Sequence, residues 1–482
     1  MRRTLTGMVS LAVLMGTVTA AGATAAEIPE RAAGQESRAA DLRDRLLAIP
    51  GMTVISEEQV GKHRYFELGY EQPVDHRNPS KGTFQQRLTL LHKDVNRPTV
   101  FHTSGYFLWG SPERSEPARI IDGNEVNMEH RFFPPSRPSP ADWSKLTIKQ
   151  AADDQHRLFT ALKSVYTKKW ISTGASKGGM TATYYERFHP NDMDGVVAYV
   201  APNDVHNKQD TAYDRFFRKV GTEKCRGLLA GMQREGLIRR AALEKRYERE
   251  AAEAGETFTA FGGGAKQAYE SGIVGMDWGF WQYAGIDLCD YIPAKPAKLS
   301  SDQLYDALNE LGGIGGGDSS LQDFVPYYYQ AGTELGSPSL KTPPHLRGLV
   351  RYPEMGPRDF VPKSIPMTFK PKAMADVDRF VRDSARRMLF VNGEYDPWAA
   401  EPFRLGRGAK DSYVMTAPKA SHMADISMLG AKDRALATAK IQEWAGVATA
   451  AVRKEPSRAE PLAAYSAQLD RKDTRKERSL RP

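Results

Sequence analysis

The run Gly174-Ala175-Ser176-Lys177-Gly178 sets a serine between glycines two residues away on either side. Where such a run joins a strand to a helix, the glycines let the backbone take a strained turn that exposes the hydroxyl. Lys169-Trp170-Ile171-Ser172 precedes it and a helical run follows, so Ser176 reads as a nucleophile. A serine hydroxyl attacks poorly near neutral pH and needs a histidine base held by an acid. The expected chain order is serine, acid, histidine. Of the ten histidines, only His345 and His422 follow the long charged helix expected at 233–256. His345 sits in a Pro-rich stretch, which leaves His422, in the loop Lys419-Ala420-Ser421-His422-Met423, as the base. The preferred acid is Asp396, in Gly393-Glu394-Tyr395-Asp396-Pro397-Trp398, because one helix and one strand separate it from His422 and so bring both to one sheet edge. Glu394 and Asp204 stand as rivals for that place.

Acyl transfer also needs donors for a developing oxyanion, each worth about 2.7 to 4 kcal/mol. The amide of Lys177, next to the nucleophile, is one. The second is expected from the loop His102-Thr103-Ser104-Gly105-Tyr106, at the Gly105 or Tyr106 amide, although this loop lacks a run of glycines.

These loops need a scaffold. Arg64 to Tyr70, Phe84 to Leu91 and Thr99 to His102 read as strands, with Pro and Gly punctuation between them. Lys145 to Lys163 has helical spacing, Val165 to Thr173 reads as a strand, Met180 to Phe188 as a helix and Gly195 to Val200 as a buried strand. Such alternation implies a parallel sheet faced by helices. From Val205 to Pro371 the pattern changes to polar helices, at Gln233 to Glu256 and Ser301 to Leu311, around an aromatic stretch from Trp278 to Tyr291. Alternation then resumes with a strand at Arg387 to Asn392, a short helix at Ala399 to Leu405, a strand at Ser412 to Ala417 and a helix at Ala431 to Trp444. The expected architecture is an α/β-hydrolase fold with a helical cap inserted in the parallel sheet domain.

The chain has 482 residues, 26% charged and 40% hydrophobic, which excludes a disordered or fibrous protein. Met1-Arg2-Arg3, the apolar run from Met8 to Val18 and Ala23-Thr24-Ala25 have the form of a secretory signal, too short to span a membrane. Its removal takes away two Arg and no acid, so the net charge falls from +8 to +6. The basic residues from Arg453 to the end read as a solvated tail without a nucleic-acid platform. Cys225 and Cys289 are the only cysteines, and an even count in an exported chain favours a disulfide. No metal or cofactor motif occurs. The expected divisions are a signal peptide (1–25), an N-terminal segment that would include any propeptide (26–60), the first part of the hydrolase (61–204), the cap (205–380), the second part (381–446) and a charged flexible tail (447–482).

The segments Glu71-Gln72-Pro73-Val74-Asp75-His76, Phe84-Gln85-Gln86-Arg87 and Glu129-His130-Arg131-Phe132-Phe133 resemble motifs of Pro-specific serine peptidases of the lysosomal Pro-Xaa carboxypeptidase and dipeptidyl peptidase II type. The runs around Ser176 and Asp396 are more similar to the secreted bacterial prolyl tri- and tetrapeptidyl aminopeptidases, from about Tyr65 to Trp444. Lys177 stands where the lysosomal relatives carry Tyr, so carboxypeptidase specificity does not transfer. The resemblance implies a secreted serine exopeptidase, without cofactor, that releases tri- or tetrapeptides after Pro from peptides with a free N-terminus. Trp278, Phe280, Trp281, Tyr283 and Trp398 offer an aromatic wall for a pyrrolidine ring. Glu129 is the candidate anchor for the substrate ammonium, with an ion pair to Arg131 as its structural alternative. A secreted esterase or lipase, or an inactive binding module, are the rival functions.

Overall fold

The computed structural model describes residues 42–470 except Trp109 and Leu340. The signal peptide expected at 1–25, the segment to 41 and the basic residues after 470 lie outside the described residues. Residues 42–45 are helical.

One sheet contains β1 (Met52–Val60), β2 (His63–Pro73), β3 (Thr83–His92), β4 (Thr99–Thr103), β5 (Asn124–Met128), β6 (Trp170–Ala175), β7 (Gly195–Tyr199), β8 (Met388–Gly393) and β9 (Tyr413–Ala417). Their spatial order is β1-β2-β3-β5-β4-β6-β7-β8-β9. The pairs β1–β2, β2–β3 and β3–β5 are antiparallel. Every pair from β5–β4 to β8–β9 is parallel. Parallel strands need covering on both faces, and the central ones are accordingly almost wholly apolar. Val100, Ile171, Val197, Leu389, Val391 and Met415 point to one face, under the helices Glu116–Ile121 and Ala431–Trp444. Phe101 and Trp170 point to the other, where Tyr185 of the helix Lys177–Phe188 and Phe159 of the helix Ile148–Lys163 meet them edge to face. This is the α/β-hydrolase fold, and the C-terminal ends of its parallel strands carry the loops that hold Ser176, Asp396 and His422.

Several expected boundaries move. The long helix expected at 233–256 is two helices, Glu223–Ile238 and Arg240–Glu253. Its break is at Arg239, with φ −94° and ψ 14°. The short helix expected at 399–405 is reduced to the turn Pro397–Ala400. The helix Lys372–Ser384, placed partly in the cap from sequence, packs instead on the sheet layer, where Arg187 pairs with Asp376 at 3.0 Å and Asn203 donates to Asp378 at 2.8 Å. The stretch 447–470, expected as flexible tail, is folded. Arg114 makes two hydrogen bonds to the Asp470 carboxylate, at 2.7 and 2.6 Å, and Leu469 closes a cluster with Val60, Tyr65 and Leu91.

The insertion has a core of its own, with Leu229, Met232, Leu243, Tyr269, Ile273, Met276, Leu304 and Leu308 buried among its helices. Cys225 and Cys289 are disulfide-bonded within it, with Cα atoms 5.4 Å apart. No described helix is long and apolar enough to cross a membrane.

Candidate active site

Ser176 lies between β6 and the helix Lys177–Phe188 with φ 58° and ψ −127°, a conformation a non-glycine residue holds only when its surroundings force it. They do so here. The Ser176 amide donates to the Tyr199 carbonyl of β7 at 2.9 Å. Any Cβ at Gly174 would strike the Gly178 carbonyl, and one at Gly178 would strike the Thr103 carbonyl. The two glycines of the motif are therefore required by close backbone approach, as the sequence implied.

Asp396 and His422 meet at the ends of β8 and β9. The Asp396 carboxylate lies 2.7 Å from His422 Nδ1 and also accepts the Trp398 amide at 3.0 Å. Both side chains are buried. With Nδ1 carrying the proton toward Asp396, Nε2 is the lone-pair nitrogen. Nε2 is buried and has no hydrogen-bond partner among the described residues. The insertion holds the histidine in place: the His422 amide donates to the Gln282 carbonyl at 3.0 Å, and the Tyr283 ring stands at 90° to the imidazole.

Neither rival acid has this geometry. One Glu394 oxygen accepts the Lys419 amide at 2.7 Å and so braces the loop that leads to His422. Asp204, after β7, has no histidine partner among the described residues. It lines a cleft at Ser176 together with Tyr106, Lys177, Tyr327, Gly336 and Trp398.

The loop after β4, expected to supply an oxyanion donor, differs in one respect from expectation. Lys177 is the first residue of its helix, so its amide has no intrahelical acceptor and remains a donor beside Ser176. Gly105, at φ 74°, packs directly against the start of this helix, and a Cβ there would collide with Gly178. The Tyr106 amide, however, is engaged by Ser104 Oγ at 3.2 Å. What Tyr106 brings toward Ser176 is its ring: both residues line one cleft, and the Ser176 side chain acts electrostatically on the phenol. Burial holds this phenol well above its ordinary pKa, so it stays protonated and can donate. Periodicity and spacing give no sign of that approach, since they place a backbone and not the reach of a ring.

The Lys177 side chain was also missed. It is buried, donates to the Gly105 carbonyl and lies over the rings of Tyr106 and Phe133, 5.5 and 5.4 Å from their centroids. Burial pushes its pKa well below the usual lysine range. One residue thus presents its amide beside Ser176 and uses its side chain to fix the opposite loop.

Glu129 is where the sequence reading needs correcting. Its carboxylate is fully buried and saturated: one oxygen accepts from the Leu108 amide at 2.9 Å and Arg87 at 3.2 Å, the other from the Ser136 amide at 3.2 Å and hydroxyl at 2.6 Å. No room is left for a substrate ammonium. The expected alternative partner, Arg131, is taken by Asp154, with hydrogen bonds of 2.6 and 2.8 Å. Among the aromatic candidates, Trp398 lines the cleft and packs edge to face on Trp278 at 5.0 Å, whereas Phe280 and Trp281 belong to the core of the insertion.

A strained serine at a strand-to-helix turn and a buried Asp-His pair on the same sheet edge have the chemistry of acyl transfer, and the fold is that of the α/β-hydrolases. The chain matches the PS-10 peptidase S37 family over residues 35–482 and belongs to it; it is a serine peptidase. It is 53% identical, over the whole of both chains, to the prolyl tri/tetrapeptidyl aminopeptidase of Streptomyces mobaraensis. Among solved structures it is similar to the proline iminopeptidase of Mycobacterium smegmatis, with 13% identity, a TM-score of 0.37 and coverage of 78% of this chain and 98% of that one. It is likewise similar to acetyl xylan esterase 1 of a Thermoanaerobacterium species, with 10% identity, a TM-score of 0.32 and coverage of 82% and 89%.

Proposed function

We propose that this peptidase is an exported exopeptidase that removes tri- or tetrapeptides ending in Pro from free N-termini, with Ser176 as nucleophile, His422 as base and Asp396 as the acid that orients it. His422 Nε2 takes the Ser176 proton as Oγ attacks the scissile carbonyl, and returns it to the leaving amine. Asp396 keeps the imidazole in the required tautomer and stabilises its protonated form. The oxyanion is held by the Lys177 amide and the Tyr106 hydroxyl, with Gly105 setting the distance between their loops. Water then hydrolyses the acyl-enzyme with His422 again as base.

The observation that carries this reading is the buried 2.7 Å contact between Asp396 and His422 on the edge that presents Ser176. The peptide length and the preference for Pro rest on the S. mobaraensis relative. The aromatic lining at Trp398 suits a proline ring, and the disulfide suits an exported protein.

The test is mass spectrometry of products from unmodified peptides with Pro at successive positions. Release of N-terminal fragments of three or four residues ending in Pro is expected. Internal cleavage, or turnover of esters alone, would overturn the exopeptidase reading. Ser176→Ala should no longer react with a fluorophosphonate, and retained labelling would remove Ser176 from its role.

A further inference from the structure

With Glu129 saturated, an exopeptidase still needs a group that tells a free N-terminus from a chain that continues. The cleft contains one carboxylate the mechanism does not use. Asp204 lines it with Ser176 and Trp398 and is only 5% exposed. Its Oδ2 is buried and accepts no hydrogen bond among the described residues. A buried carboxylate oxygen without a donor is costly, and a ligand in the cleft that supplies a donor relieves that cost.

The surroundings indicate what that ligand is. The charged groups acting on Asp204 are Asp210 and Glu401, both acidic, in a chain whose net charge is +8. Burial, and after it their repulsion, raise its pKa to about 7. Tyr213, held neutral by burial, is the other titratable group coupled to it. The position is rigid as well: the loop after β7 is tied to the segment after β8 by the Pro202–Pro402 bridge and by the Asn203 amide donating to the Glu401 carbonyl at 2.8 Å, and Gly336 packs directly on the Asp204 backbone. A fixed, desolvated acid with acidic neighbours, in the lining of the cleft that holds Ser176, selects a small cation with several N–H donors.

We propose that Asp204, backed by Glu401 and Asp210, anchors the N-terminal ammonium of the substrate and is the specificity-determining residue of the site. This inference rests on the exopeptidase reading above. The ammonium supplies the donor that Oδ2 lacks, and a charge-assisted hydrogen bond of this kind is worth about 10- to 100-fold in affinity.

The experiment compares kcat/KM of the full chain on one chromogenic tripeptide ending in Pro, with its N-terminus free or acetylated. Wild type should prefer the free amine at least tenfold. Asp204→Asn should lose about 10- to 100-fold on the free substrate, chiefly through KM, and collapse that preference, with Asp204→Glu restoring part of it. If Asp204→Asn keeps the full preference, the anchor lies elsewhere and the proposal fails while the exopeptidase reading stands. If wild type does not distinguish the two substrates, the exopeptidase reading itself fails. Inhibition of wild type by the tripeptide product is a second measurement, independent of how any variant folds. Above pH about 7 Asp204 is ionised, and below about 7.7 an α-amine is protonated, so the free product should inhibit best between these limits and its acetylated form should show no such optimum. Identical pH profiles for the two products would overturn the proposal.

Discussion

Neighbouring strands β7 and β8 each deliver an aspartate to the same edge of the sheet, and the two meet opposite surroundings. Asp396, after β8, is met by donors: His422 Nδ1 on one oxygen and the Trp398 amide on the other. The charged groups that act on Asp204, after β7, are both acids, and its Oδ2 has no donor among the described residues. Side-chain type and distance from the strand end do not separate them. The donors do, because a carboxylate that is bonded on both oxygens can hold a partner in place, whereas one left bare can only receive something that enters the cleft.

The sharpest way to break this contrast is Asp396→Asn. An amide cannot stabilise the imidazolium, and its NH₂ competes for the wrong tautomer, so turnover should fall by about four orders of magnitude. The loss should appear equally on free and acetylated substrates in steady-state assays. If Asp204→Asn produced a loss of that size on the acetylated substrate, the two aspartates would have exchanged roles. Next in size is Tyr106→Phe. Removing the hydroxyl beside Ser176 should lower kcat about 10²- to 10³-fold with little change in KM, as loss of an oxyanion donor does. A variant with unchanged kcat would return the second donor to the backbone of the loop.

A third aspect of the same contrast is Glu129, an acid with four donors and no access to substrate. Glu129→Gln should leave the ratio of free to acetylated turnover as it is and cost about 1 to 3 kcal/mol of stability, because an amide cannot accept from Arg87, Leu108 and Ser136 together. Urea denaturation measures the second effect and the substrate pair the first. A collapsed substrate preference with normal stability would restore Glu129 as the anchor.

The ease with which each of these residues can be found in the sequence follows from how local its cause is. Ser176 is legible because the glycines that permit its strained turn are two residues away. Asp396 and His422 are legible because strand-and-helix alternation fixes which loops share an edge. β1 escapes notice because it is an edge strand whose middle residues are largely exposed on both faces, so Met52–Val60 has no apolar alternation. β5 escapes because it buries polar residues: Asn124 accepts the Lys93 amide and Glu125 the Ser115 amide. The break at Arg239 has no Gly or Pro to mark it. Glu129 and Asp204 are harder still. Both are acids in loops near the site, and the saturation of one and the isolation of the other are set by Arg87, Ser136, Asp210 and Glu401, from different parts of the chain.

The smallest expected effect concerns stability, and its sign separates the two aspartates without any substrate. The pKa of Asp204 is about 7 in the folded protein, above its ordinary value of 3.8, chiefly through burial and then through Asp210 and Glu401. Between those values the folded chain holds a proton that the unfolded chain has released, so this group lowers stability as pH rises from about 4 to about 7, and the loss is complete above that range. Asp204→Asn cannot ionise and escapes the loss. With allowance for the solvent that reaches the cleft, it should be more stable than wild type by about 1 to 2 kcal/mol at pH 8 and no more stable at pH 4.5. Asp396→Asn, which breaks the bond to His422, should not be stabilising at pH 8. Thermal melts of the three proteins at both pH values test this. A gain for Asp204→Asn that is equal at pH 4.5 and pH 8 would mean that improved packing, and not the removal of a buried charge, distinguishes the variant, and the difference between the two loops would then not be electrostatic.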